Sequence, residues 1–121
     1  MQYIGVDIIE IARVHEAVER WGDRFLRRVY TESELKRYAK SPSSLAARFA
    51  GKEAVVKALG TSEGGIGWKD IEILAEPGGR PVVNLYHRAK EYADGLGLAG
   101  MAISLSHSRD YAIAFVVGEK G

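Results

Sequence analysis

No cysteine occurs among the 121 residues, so the chain has no disulfide framework and no thiol chemistry, and a zinc site is not expected. This fits a reducing compartment, with the cytosol as the expected location. No apolar run approaches the roughly 18 residues of a membrane span. The N-terminus lacks a basic segment followed by an apolar stretch, so no signal peptide is expected. An excess of one charge is also missing: 17 Lys and Arg face 16 Asp and Glu, a formal net charge of +1. Global charge therefore predicts neither nucleic acid nor membrane as partner. Repeats and low-complexity tracts are absent, and residues 1–121 read as one small domain. A chain of this length can bury roughly two thirds of the surface it exposes when unfolded.

What is present alternates between the two regular periods. Ile4 to Ile9 reads as a strand. From residue 11 to 29, Ile11, Val14, Val18, Trp21, Phe25 and Val29 recur at helical spacing within an arc of roughly 80°. Arg13, Arg20, Arg24, Arg27 and Arg28 occupy a separate arc of about 100° beside it, and Gly22 is a potential break. Thr31-Glu32-Ser33-Glu34 has the form of a capping box for a short helix to about Lys40. Pro42 is expected to end one element, and Ser43 or Ser44 to cap a long helix from Leu45 to Leu59, closed by Gly60. Gly64 to Gly67 reads as a connector. Residues 71–75 and 81–85 form a predicted hairpin around Pro77-Gly78-Gly79-Arg80. A helix over 87–96 and two strands over 101–105 and 111–117 complete an α+β domain, in which a small antiparallel sheet packs on the long helix.

The chemistry concentrates on that helix, where Arg48, Lys52, Glu53 and Lys57 stand together. Glu53 and Lys57 are four apart and share a face. A surface ion pair of this kind is worth only about 0.3 to 0.5 kcal/mol and by itself signals little. Asp7 changes the reading, because an ionised carboxylate inside an apolar strand needs a cation or hydrogen bonds to offset its lost hydration. A divalent metal together with a phosphate would supply that partner. Arg48 and Lys52, also four apart, could both meet a phosphate, the first through a bidentate fork and the second as a point charge.

Gly5-Val6-Asp7 followed by Arg13, then Arg48-Phe49-Ala50-Gly51-Lys52-Glu53-Ala54-Val55-Val56-Lys57-Ala58, then Ser104-Leu105-Ser106-His107 resemble the three motifs of the 4′-phosphopantetheinyl transferases. Within that family the length and motif detail resemble the small bacterial type, the holo-acyl-carrier-protein synthases. The resemblance runs from Gly5 to about Val117.

It implies Mg²⁺-dependent transfer of the 4′-phosphopantetheine of coenzyme A to a serine of an apo acyl carrier protein, with release of adenosine 3′,5′-bisphosphate, in fatty acid biosynthesis. Asp7 and Glu53 would hold the metal, and Lys57 would neutralise phosphate charge, making these three the catalytic set. Arg48, Lys52, Lys57, Ser106 and His107 would contact coenzyme A. Either Glu53 or a metal-bound water could take the serine proton. Larger relatives carry a second acid where this chain has Ile9. The resemblance further implies that the first helix meets the acidic carrier protein, through Arg13 by direct motif match, through Arg24 and Arg28 by a looser match, and through Arg20 and Arg27 only by shared arc. It also implies a homotrimer with active sites between subunits.

Two rival readings follow from the same residues. A non-catalytic module would bind acidic proteins or RNA through the arginines and use Glu53 and Lys57 structurally. RNA readers stack bases on exposed aromatics, whereas Trp21 and Phe25 fall on the predicted apolar arc. A coenzyme A hydrolase would apply the same metal site to water and need no carrier protein.

Overall fold

The computed structural model describes residues 2–61 and 64–121. Strand β1 (Gln2–Glu10) runs directly into helix α1 (Ile11–Trp21), followed by α2 (Asp23–Val29), α3 (Glu32–Tyr38) and the long α4 (Pro42–Leu59). A 3₁₀ turn (Trp68–Asp70) leads to β2 (Ile71–Ala75) and β3 (Pro81–Leu85), then α5 (His87–Gly95), β4 (Leu98–His107) and β5 (Tyr111–Lys120). The α+β class and the order of elements agree with the expectation from sequence. β1, β5 and β4 form an antiparallel sheet in that spatial order, while β2 and β3 pair separately as a hairpin.

The period of two in the strands decides what each sheet face does. Gly5, Ala112, Ala114 and Val116 are buried on the inner face, where α4 lies across the sheet. Small residues dominate on both sides of this contact, with Ala50, Ala54 and Ala58 supplied by the helix. The opposite face carries Ile4, Val6, Ile8, Tyr111, Ile113 and Phe115, all exposed, with Ile8 reaching 61%. Register places Asp7 opposite Ala114, and Ala114 opposite Leu105 on β4.

Three local expectations change. Helix α4 starts at Pro42 rather than after it, because a missing N–H costs nothing in a first turn, and Ser41 is its cap, accepting from the Ser44 amide at 3.4 Å. Gly22 does divide the predicted helix: its φ of 55° is a conformation that favours glycine. The chain turns there, and Trp21 leaves the apolar stripe to stand 51% exposed. Trp21 is thus available for stacking, contrary to the expectation from its arc, while Phe25 stays half-buried. Strands β4 and β5 extend beyond the predicted limits, with a register shift between Leu98 and Gly100.

Candidate active site

Asp7 reaches the inner side of the sheet because it shares the parity of Gly5 and Ile9 on β1. Lys57, on the last turn of α4, donates from Nζ to Asp7 Oδ1 at 3.0 Å and to the Val6 carbonyl at 3.1 Å. The helix can lie this near only because Gly5 has no side chain. A Cβ built there would stand 1.9 Å from the Ala54 carbonyl oxygen. Glu53, one turn before Lys57, joins the pair from the same helix. Its carboxyl is pushed up by burial and then by the Asp7 charge, with Lys57 pulling the other way. Within this trio two carboxylates face one ammonium, a surplus of one negative charge, with Arg13 lining the same cleft.

That surplus suits a divalent cation. Mg²⁺ binds through one or two carboxylates and completes its octahedron with water and phosphate oxygens. Among the described residues no group of three or more His, Cys, Asp and Glu side chains gathers to form a closed metal cage. Asp7 and Glu53 thus fit an open site that keeps room for a phosphorylated ligand.

Both carboxylates line a cleft of about 360 Å³ with Arg13, Ala17, Phe25 and Phe49. Arg13 arrives there because α1 begins at once after β1, two residues behind the Ile11 amide that donates to the Asp110 carbonyl. A second groove of about 620 Å³ shares Phe25 and Phe49 and adds Trp21, Arg24, Arg28 and Trp68. Its floor is aromatic: the Phe49 and Trp68 rings stack at 4.9 Å, and Phe25 lies 6.5 Å from Phe49. Sequence reasoning missed Trp68, which sits in an irregular segment with no period to follow. Arg20 lines neither groove but stands over the Trp21 ring at 5.3 Å, and Arg27 is exposed.

Arg48 and Lys52 depart from expectation. They do share a helix face, but that face packs on α3 and β2 instead of opening to solvent. Arg48 is 9% exposed, lies 3.8 Å above the Tyr38 ring and donates Nε to the Ile73 carbonyl. Lys52 is fully buried, and its Nζ donates to Glu34 Oε1 at 2.9 Å, to the Trp68 carbonyl at 3.0 Å and to the Ile71 carbonyl. All three ammonium protons are committed within the protein, so the expected phosphate contact by Lys52 is corrected to an internal one. Ser106 and His107 are not brought to the Asp7 cleft either. Ser106 stands opposite Ile113, exposed on the outer sheet face, and His107 is exposed at the end of β4, two strands from Asp7.

Comparison with known proteins matches these features as a set. Residues 3–116 match the family model of the 4′-phosphopantetheinyl transferase superfamily. A holo-[acyl-carrier-protein] synthase of Herpetosiphon aurantiacus is 50% identical over 125 residues, covering 98% of each chain. That of Dehalococcoides mccartyi strain CBDB1 is 49% identical over 119 residues, with 98% of this chain and 99% of the relative covered. Among solved structures, the Helicobacter pylori holo-[acyl-carrier-protein] synthase in complex with coenzyme A superimposes with a TM-score of 0.86 at 37% identity, covering 96% of this chain and 99% of that one. The Neisseria meningitidis enzyme gives 0.89 at 33% identity, over 99% and 100% of the two chains. With the family model matched over residues 3–116 and relatives about half identical over nearly the whole length, the chain belongs to the 4′-phosphopantetheinyl transferase superfamily.

Proposed function

We propose that this chain, residues 1–121 acting as one transferase domain, moves the 4′-phosphopantetheine group of coenzyme A onto a serine of apo acyl carrier protein in the cytoplasm, in service of fatty acid biosynthesis. The observation that carries the reading is the meeting of Asp7, Glu53 and Lys57 at a cleft also lined by Arg13. The serine oxygen bonds to the phosphorus next to pantetheine, the bond from that phosphorus to the bridging oxygen breaks, and adenosine 3′,5′-bisphosphate leaves.

Asp7 and Glu53 are the residues that would hold Mg²⁺, which when bound supplies charge neutralisation on the diphosphate. Lys57, whose side chain is half exposed, can exchange its contact with Asp7 for a phosphate oxygen without burying a charge. Either Glu53, which lines the cleft, or a water on the metal would accept the serine proton. Phe25 and Phe49 narrow the cleft and limit water around the reacting phosphate.

The carrier protein would approach along the two joined grooves, where Arg13, Arg24 and Arg28 present positive charge beside an aromatic floor. Arg20 and Arg27 extend the positive field at the surface. The assembly is a homotrimer with sites between subunits. The number three follows from the family resemblance, and two features support association of copies: an exposed apolar outer sheet face, and the position of Ser106 and His107 away from Asp7 of the same chain. A neighbouring copy would bring its Ser106 and His107 to the coenzyme A. Light scattering in solution should give three chains per particle, and a monomeric mass would contradict the assembly. For the chemistry, Asp7→Ala and Glu53→Ala should each abolish turnover while circular dichroism remains that of the folded protein. Retained turnover in either variant would contradict the assigned site.

A further inference from the structure

Helix α4 poses a problem of rotation. Eleven of its residues are buried, spread around the helix, and five of those are alanines at positions 46, 47, 50, 54 and 58. Where the helix lies on the sheet, Ala50, Ala54 and Ala58 offer few large knobs to lock its roll about its own axis. Yet the site demands a defined roll, because Glu53 and Lys57 face Asp7 only at one setting.

Lys52 and Glu34 meet that demand. Both are fully buried, and together they tie α4 to three other elements. Beyond the bond from Lys52, Glu34 Oε1 accepts from the Thr31 amide at 2.9 Å, and Oε2 accepts from the Ile73 amide at 2.8 Å. The Lys52 ammonium completes its three bonds on the 3₁₀ turn and the start of β2. Gly51 closes the same contact, since a Cβ there would lie 2.3 Å from Ile73 Cδ1. Thr31 links this group to a second buried carboxylate, donating from Oγ1 to Glu72 at 2.6 Å. Every buried side-chain nitrogen and oxygen among the described residues has a partner, so the network is complete.

From this geometry we propose that Lys52 and Glu34 are positioning residues, which fix the roll of α4 and so aim the adjacent Glu53, and Lys57 beyond it, at Asp7. The proposal rests on the transferase reading of the Asp7 cleft. It assigns the motif lysine a part inside the protein instead of on the substrate. Burial presses Lys52 toward the neutral form and the Glu34 charge holds its proton, so removing either partner leaves the other poorly placed.

The test measures Mn²⁺ affinity by electron paramagnetic resonance, coenzyme A affinity without metal by calorimetry, kcat, and thermal stability. Lys52→Met should weaken Mn²⁺ binding about tenfold and lower kcat at least tenfold, while coenzyme A affinity stays within about threefold. The double variant Glu34→Leu/Lys52→Met exchanges the ion pair for apolar groups of similar size, an exchange proteins often tolerate, and guards against a single variant that fails to fold. It should regain much of the thermal stability while Mn²⁺ affinity stays about tenfold weak. If metal affinity and kcat return together with stability, the pair is merely structural and the proposal is overturned. It is equally overturned if Lys52→Met weakens coenzyme A tenfold and leaves Mn²⁺ unchanged, as a direct phosphate ligand would. Because Mn²⁺ binding needs no carrier protein, the result is independent of whether the wild type transfers phosphopantetheine, which its own turnover reports.

Discussion

Gly5 and Ala54 touch backbone to backbone: a β-carbon on Gly5 would fall 1.9 Å from the Ala54 carbonyl oxygen and 2.8 Å from the Ala58 amide nitrogen. Neither atom belongs to a flexible side chain, so one added methyl must push α4 off β1. Gly5→Ala should cost about 2 kcal/mol or more by overpacking. It should also widen the gap between Asp7 on the strand and Glu53 on the helix. Thermal unfolding should show a midpoint lower by about 5–15 °C, and turnover should fall further than the lost folded fraction explains.

Glu53 trades stability for chemistry. Its folded carboxyl titrates above the ordinary value, through burial first and Asp7 second. The folded state then holds this proton more tightly than the unfolded chain, so stability falls as pH rises from about 4.5 through the folded value and stays reduced above it. Glu53→Gln should therefore unfold at a midpoint no lower than the wild type at pH 7 without divalent ions, while turnover drops by at least about 100-fold. Calorimetry and an activity assay on one preparation check both halves.

Glu72 behaves in the opposite sense. Burial alone would raise its carboxyl, but hydrogen bonds from Thr31, Asn84 and Tyr86, with the Lys52 charge, hold it below the ordinary value. The stability it contributes is present above about pH 4.5 and is lost as pH falls through the depressed folded value. Urea unfolding at pH 7 and at about pH 3 should show a smaller loss for Glu72→Gln than for the wild type.

His87 is the one described residue other than glycine with positive φ, at 48°, and its side chain is exposed. An L-residue pays about 1–2 kcal/mol for this conformation, and glycine avoids most of it. His87→Gly should raise the unfolding midpoint by roughly 2–5 °C and leave turnover alone.

Arg24 and Arg28 line the aromatic groove, away from the carboxylates. Reversing either charge should raise the apparent KM for the carrier protein about tenfold with kcat changed less than about threefold. Adding salt should shrink the difference between variant and wild type, since exposed charges are screened within about 10 Å at 0.1 M. A hydrolase acting on coenzyme A alone would be indifferent to both substitutions.

The meeting of Asp7, Glu53 and Lys57 is legible in the sequence because each residue obeys a simple period. Asp7 follows the parity of its strand, and Glu53 and Lys57 stand one helical turn apart. The capping box at Thr31 was also legible, but only half of its meaning: Glu34 caps α3 and in addition holds Lys52, a partner 18 residues away that no local pattern announces. Spacing placed Arg48 and Lys52 on one face correctly. It could not say which way that face points, because buried positions run around most of α4 and its charged residues stand on more than one face. Trp21 was misplaced for a backbone reason, as Gly22 turned the chain just where the stripe required it to continue. The exposed Ile4, Val6 and Ile8 share an alternation with the buried positions that hid their outward direction until β5 was seen beside them.

The most direct measurement is the intact mass of an apo acyl carrier protein after incubation with this protein, coenzyme A and Mg²⁺, with and without chelator and beside Asp7→Ala. A gain of one phosphopantetheine that disappears with chelator and with the variant is the predicted result. An unchanged mass across several carrier proteins, from protein shown to be folded, would contradict the assignment of the Asp7–Glu53–Lys57 cleft to phosphopantetheine transfer.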